Sequence, residues 1–263
     1  MAKGIRIDMA HHPQTILDTM EKTEKDAHAA KQQWGLGCGF SLAMVGLGAL
    51  AYFLDSRLDV GQVLVVLAYV LWALAAIAGV VLLLNKPRFP QEQFEPVRRM
   101  LYTLRDDTGR KGWVAGWLDM TGPQQKTKQT RTARSAGGKM KVYYHDPWFR
   151  ARFKLVDGNV LRLALIDKIK TKAGSVVNHR TQFTAKLVVN PELYHIGTAP
   201  AGGSTSPVHV YSAGDGVLSI KTEVDPRRLP VDDMLKSLKA MYSHLEPIQP
   251  IHGLGSSISD VET

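Results

Sequence analysis

Between Lys126 and Lys186 the chain carries fifteen Lys and Arg residues against three acids, Asp146, Asp157 and Asp167. That local excess of +12 is larger than the +9 of all 263 residues together, so positive charge is concentrated in one region. Guanidinium and ammonium groups at this density bind carboxylates and phosphates through charge-assisted hydrogen bonds. The chemistry to expect is therefore recognition of an anion. The candidate anion- or partner-binding residues are Lys126, Lys128, Arg131, Arg134, Arg150, Arg152, Lys154, Arg162, Lys168 and Lys170.

One hairpin gives part of this set a geometry. If Val156-Asp157-Gly158 forms a three-residue loop with Gly158 in the left-handed conformation, Phe153 faces Leu161, Ala151 faces Leu163 and Phe149 faces Leu165. Those pairs line one apolar face. The opposite face then carries Arg150, Arg152 and Lys154 against Val160, Arg162 and Ala164, and runs on to Lys168 and Lys170. A two-residue Asp-Gly turn would place Phe153 beside Arg162 and mix the faces, which the alternation argues against. In the favoured register Arg152 lies opposite Arg162, a repulsive pair that calls for an anion nearby.

Bond-making chemistry finds no comparable support. The nine histidines do not stand at metal-ligand spacings, and the single cysteine, Cys38, permits neither an internal disulfide nor a cysteine-based metal site. His11-His12 reads as a polar end before a helix, and His145-Asp146 as a turn before Pro147. No nucleophile elbow, phosphate-binding loop or dinucleotide fingerprint occurs. The expectation is a protein without enzymatic activity, metal or cofactor, a membrane-tethered hydrolase being the lesser alternative.

The elements that must position the cations begin at Gly112, where the apolar period becomes two. Strands are expected over 113–118, 125–134, 139–144, 148–155, 160–170, 180–189, 208–211 and 217–223, forming a mainly antiparallel sandwich or small barrel. A short helix opened by Pro96 and stopped by Gly109 precedes them. A second helix from Pro230 to about Leu245 follows, with Val231, Leu235, Leu238, Tyr242 and Leu245 on its apolar stripe. Residues 198–206 read as a flexible loop and 247–263 as a disordered tail.

Upstream, Trp34 to Leu54 and Val63 to Leu84 contain no charged residue. Each run matches the ~20 apolar residues that a helix needs to cross a bilayer. A two-span helical hairpin with a loop at 55–62 is expected, preceded by an amphipathic cytoplasmic helix over 1–33 that runs into the first span. Gly35-x3-Gly39, Gly37-x3-Ser41 and Ala75-x3-Gly79 are small-residue pairs suited to close helix packing, within the hairpin or between copies. Lys22, Lys25 and Lys31 precede the first span and Lys86, Arg88, Arg98 and Arg99 follow the second, whereas the loop has only Arg57. Both termini are therefore expected in the cytoplasm, in a membrane of bacterial inner-membrane type.

The fold class expected is thus membrane-anchored α+β, with 85–111 as linker and short helix and 112–246 as a basic β-rich domain. The favoured function is an integral membrane scaffold or accessory subunit whose basic domain docks on anionic lipid headgroups or acidic partner subunits. The alternative is a ligand-responsive effector with oligomerising spans. In its order of parts the chain resembles bacterial immune effectors in which two transmembrane helices carry a small β-barrel that recognises a cyclic nucleotide. The resemblance implies a nucleotide-like ligand and a homo-oligomer. Nucleic acid is a further anion to consider, with Tyr143, Tyr144 and Trp148 interleaved among the cations, although no nucleic-acid-binding motif is present.

Overall fold

The register set by Val156-Asp157-Gly158 defines the centre of the sheet. In the computed structural model, which describes residues 5–58, 63–84, 89–109, 112–197, 210–212, 216–226 and 229–248, strands β4 (Met140–Lys154) and β5 (Val160–Lys172) pair antiparallel. Their register is Phe149 to Leu165, Ala151 to Leu163, Arg152 to Arg162 and Phe153 to Leu161. Gly158 has φ +79° and its N–H donates to the Leu155 carbonyl, which closes the three-residue loop. The left-handed conformation at this point is what sends apolar side chains of both strands to the same side.

The described chain divides into two compact units, one built on Thr19–Pro90 and one on Gly4–Asp18 with Gln91 onward. The second contains an eight-stranded sheet. Its path runs β1 (Ile5–His11), β2 (Val114–Met120), β4, β5, β6 (Ser175–Val188), β9 (Val217–Val224) and β8 (Val210–Ser212), with β3 (Gln129–Arg134) pairing on β4. Every pairing is antiparallel. A separate pair joins β7 (Tyr194–Ile196) to β10 (Leu245–Pro247).

Several expectations are corrected here. Eight of the described strands form an open antiparallel sheet whose path ends at β1 and β8, where a sandwich or small barrel was expected. Residues 5–11, expected in a helix, form edge strand β1, with Ile7 and Met9 buried and Arg6 and Asp8 exposed. The two strands expected over 139–155 are one, broken only by a register shift between Asp146 and Phe149. Pro147 falls within that shift, where its missing N–H does least harm to the ladder. The segment 125–134 becomes a strand only from Gln129, after a 3-10 turn at Lys126–Lys128. The expected loop at 198–206 and the tail beyond 248 lie outside the described residues, while Leu245–Pro247 is strand.

The inner face of the sheet is the core. Phe149, Phe153, Leu161, Leu165, Phe183 and Ile220 are fully or almost fully buried there. Helices α3 (Gln91–Leu104) and α4 (Val231–Tyr242), which follow α1 (Pro13–Leu58) and α2 (Val63–Leu84) in the chain, lie against one another, and α4 also meets β6 and β9. The buried stripe of α4 is Val231, Met234, Leu238 and Met241, at three- and four-residue steps. Leu235 is only half-buried, and Leu245 belongs to β10. Helix α3 begins five residues before Pro96, and Gly109, at φ +64°, ends the 3-10 turn that follows it.

Gly116 on β2 is paired with both Met9 and Ala151. A Cβ there would overlap the Arg150 carbonyl. Gly116→Val is expected to detach β2 from β4 at a cost of at least ~3 kcal/mol, above the usual range for overpacking because backbone rather than side chain must yield. Loss of hydrogen-exchange protection in 114–120 together with 149–153 is the readout, and wild-type protection would sink the idea.

The other unit is a helical hairpin. Helix α1 runs unbroken from Pro13 to Leu58, 46 residues, and α2 from Val63 to Leu84. Both are long and apolar enough to cross a membrane. Trp34 Nε1 donates to the Leu82 carbonyl at 2.8 Å, Ser41 Oγ to the Ala75 carbonyl at 3.0 Å and Trp72 Nε1 to the Val45 carbonyl at 3.2 Å. These bonds place Gly37, Ser41, Ala75 and Gly79 along the contact between the helices. A Cβ on Gly37 would come within 2.9 Å of Leu82, whereas one on Gly35 or Gly39 meets nothing within 4 Å. The two small-residue pairs of α1 thus lie on different faces, and only Gly37-x3-Ser41 packs the hairpin. Gly37→Leu is expected to loosen it and Gly39→Leu to leave it intact. Double electron–electron resonance between spin labels at Leu36 and Leu83 would separate the two cases, a broadened distance for both variants counting against this assignment.

Candidate functional site

Alternation along β5 sends Leu161, Leu163 and Leu165 inward and Arg162, Lys168 and Lys170 outward. Neighbouring strands extend each outward position into a row. One row reads Ala115, Arg152, Arg162, Lys186 and Ser219 from β2 to β9, and the next reads Trp117, Arg150, Ala164, Thr184 and Lys221. Arg152, Arg162 and Lys186 therefore occupy directly opposed sites on three adjacent strands, where facing Cβ atoms sit ~4.5–5.5 Å apart. All three are exposed. None has an ion-pair partner among the described residues.

Further along the same face His145 lies opposite Lys168, and Tyr143 opposite Lys170. The Lys170 ammonium stands 5.7 Å from the Tyr143 ring centroid. Lys168 Nζ donates to Gln182 Oε1 at 2.8 Å. Arg180, in contrast, is neutralised by Glu223 at 3.3 Å. On β2, Trp117 is flanked by Arg150 at 5.4 Å and Arg6 at 6.0 Å from its ring, and its Nε1 donates to the Pro147 carbonyl. The ring's negative face attracts both guanidinium groups and limits where Arg150 can point.

Of the residues selected from sequence, Arg150, Arg152, Lys154, Arg162, Lys168 and Lys170 are brought together on the outer face. Arg131 lies on β3 opposite Tyr143, Arg134 sits opposite Met140 at the end of the sheet, and Lys126 is exposed in the 3-10 turn. Lys128 is a correction. Its side chain is only 10% exposed and is held 3.0 Å from Asp119 Oδ2 and 2.9 Å from Asp146 Oδ1, so it serves an internal ion pair. Arg6, Trp117, Lys186 and Lys221 join the face without having been selected, because their strand partners are remote in sequence.

The acids that hold Lys128 belong to a second cluster. Asp146, expected in a turn, lies in β4 directly opposite Asp167 of β5, and both are almost wholly buried. Asp167 Oδ1 accepts from Trp148 Nε1 at 3.1 Å and Thr181 Oγ1 at 2.6 Å, and its Oδ2 lies 3.0 Å from His179 Nε2. Asp146 Oδ2 has no donor among the described residues. Burial pushes the Asp146 carboxyl up to about 6, against the opposing pull of Lys128. Burial acts the same way on Asp119, but hydrogen bonds from Thr121 and the charge of Lys128 outweigh it and hold that carboxyl below its ordinary value.

The cluster stands where β2 and β3 succeed one another along the same edge of β4, β2 pairing with 149–153 and β3 with 140–144. Lys128 thus fastens the crossing between them. No group of three or more potential metal ligands occurs among the described residues. The arrangement supports electrostatic recognition on the outer face and structural locking on the inner one. No protein family, no curated protein and no solved structure matches the chain.

Proposed function

We propose that this protein is an integral membrane scaffold or accessory subunit that docks on anionic lipid headgroups. In this reading α1 and α2 cross a bilayer, both termini lie on the cytoplasmic side, and the outer face of the sheet meets the headgroups. The observation that carries the reading is the opposed row Arg152, Arg162 and Lys186, whose exposed charges have no acidic partner among the described residues. Like charges held on adjacent strands repel unless an anion lies between them. Two helices able to span a membrane make headgroup phosphates the anion closest to hand.

A nucleotide-like ligand has less support. The described strands leave the sheet open where a small barrel would enclose one. The test uses the full-length chain in lipid nanodiscs with and without phosphatidylglycerol, with Cys38→Ser and Val156→Cys carrying a donor dye and the headgroups an acceptor. Energy transfer is expected to rise with the anionic lipid and to fall as salt is added. Equal transfer in neutral and anionic discs at every salt concentration would discard lipid docking, and an acidic protein recovered at fixed stoichiometry would then become the partner.

A further inference from the structure

The far end of the sheet, away from the Val156-Asp157-Gly158 loop, has a composition of its own. Here the β3–β4 turn and the β5–β6 turn lie side by side, joined by a hydrogen bond from Ala173 N–H to the Met140 carbonyl at 2.9 Å. The segments 129–145 and 168–180 that build this end contain eight Lys and Arg and no acid. Its outermost apolar side chains are uncovered: Met140 is 49%, Val176 49% and Val177 53% exposed.

Two backbone features hold them there. The β5–β6 turn has two residues, Ala173 at φ +52° and Gly174 at φ +82°, so the strands run to its very tip. The register then slips between Lys170 and Thr171, pairing Thr171 with Val176 and Lys170 with Asn178 and leaving Val177 without an opposite number. A regular strand would send two successive valines to opposite faces, whereas a bulge re-aims one of them. Cations surround the group, with Arg134 paired to Met140, Lys141 to Lys172, and Lys139 in the adjoining turn.

Apolar side chains at a tip, ringed by cations with no acid among them, suit the boundary between acyl chains and anionic headgroups. We infer that this end of the sheet inserts into the anionic leaflet, Met140, Val176 and Val177 entering the acyl boundary while Arg134, Lys139, Lys141 and Lys172 bind headgroup phosphates. The inference rests on the docking reading above and adds to it the part of the domain that penetrates. An alternative occupant is a strand from a second copy, since β9 pairs with β6 only from Thr181 onward and leaves 175–180 an open edge among the described residues.

The test uses the full-length chain with Cys38→Ser, carrying a polarity-sensitive fluorophore at Val177→Cys or, as the control for the opposite end, at Val156→Cys, which is 71% exposed. In phosphatidylcholine nanodiscs containing phosphatidylglycerol, emission from position 177 is expected to shift to the blue and to be quenched by doxyl groups on the acyl chains. Position 156 should do neither. High salt or removal of the anionic lipid should abolish the effect at 177. A fluorophore at 177 that stays in water while energy transfer from 156 still rises would overturn insertion and leave docking standing. A blue shift at 177 that ignores lipid charge and depends on protein concentration would assign the edge to a second copy. Absence of both signals would remove docking and insertion together.

Discussion

Lys128→Met lowers the stability of the sheet-bearing unit by about 3–5 kcal/mol at neutral pH, the usual cost of leaving a buried charge without its partner. The ammonium is the counter-ion of Asp146, whose other oxygen already lacks a donor among the described residues. The pH dependence follows from the carboxyl's raised value. An acid held at about 6 when folded, and at ~3.9 when unfolded, binds its proton more tightly in the folded state. Its unfavourable contribution is complete above the folded value and is relieved as pH falls from about 6 to about 4, by at most ~3 kcal/mol in the native chain. Without Lys128 the carboxyl rises further, so relief begins at a higher pH. Asp146→Asn should remove most of this dependence and should rescue Lys128→Met in the double variant. Urea unfolding in detergent, followed through exchange of the β4 and β5 amides, measures all three. If the single and double variants were equally destabilised from pH 5 to 8, Lys128 would not be acting through Asp146.

Docking should respond most strongly to Arg150, Arg152, Lys154 and Arg162 changed together to Gln. Each cation near an anionic leaflet contributes ~1 kcal/mol, so the four together are worth on the order of 10³ in the docking equilibrium at low salt. The difference should shrink to less than ~10-fold near 1 M salt, where the Debye length is ~3 Å. The fold should not suffer, because Arg152 and Arg162 face one another directly and their neutralisation removes a repulsion of a few tenths of a kcal/mol or more. A variant with weakened docking and a melting temperature equal to or slightly above that of the native chain is the expected result. Undiminished docking at low salt would show that these four residues do not meet the lipid.

The hairpin at residues 149–165 could be read from sequence because its information is local. A left-handed glycine, a three-residue loop and two alternating strands leave one register that keeps Phe149, Phe153, Leu161 and Leu165 together. The two apolar helices were legible for the same reason, each being a continuous run. What escaped depends on distant partners. Ile5, Ile7 and Met9 alternate as a strand should, but their partner β2 lies more than a hundred residues downstream. Lys128 looks like any other cation in the basic stretch until Asp119 and Asp146 close on it. Gly35-x3-Gly39 and Gly37-x3-Ser41 are indistinguishable as patterns, and only the position of α2 decides between them. Closure of a sheet has no local signature, so an open ladder and a barrel predict the same alternating strands.

Strand β1 has a consequence for the order in which this protein is made. It is translated well before the strand it pairs with, because β2 follows α1, α2 and α3. Both apolar helices are translated before Val114–Met120. During that interval Ile5–His11 is a nascent segment with a β-forming pattern and no acceptor. Joining β1 to this sheet is then a long-range closure, Ile5 finding Met120 and His11 finding Val114, and non-local pairings of this kind are the slow ones. An N-terminal fusion or a truncation through residue 11 would act on that step, leaving β2 as an uncapped edge open to pairing with other nascent chains.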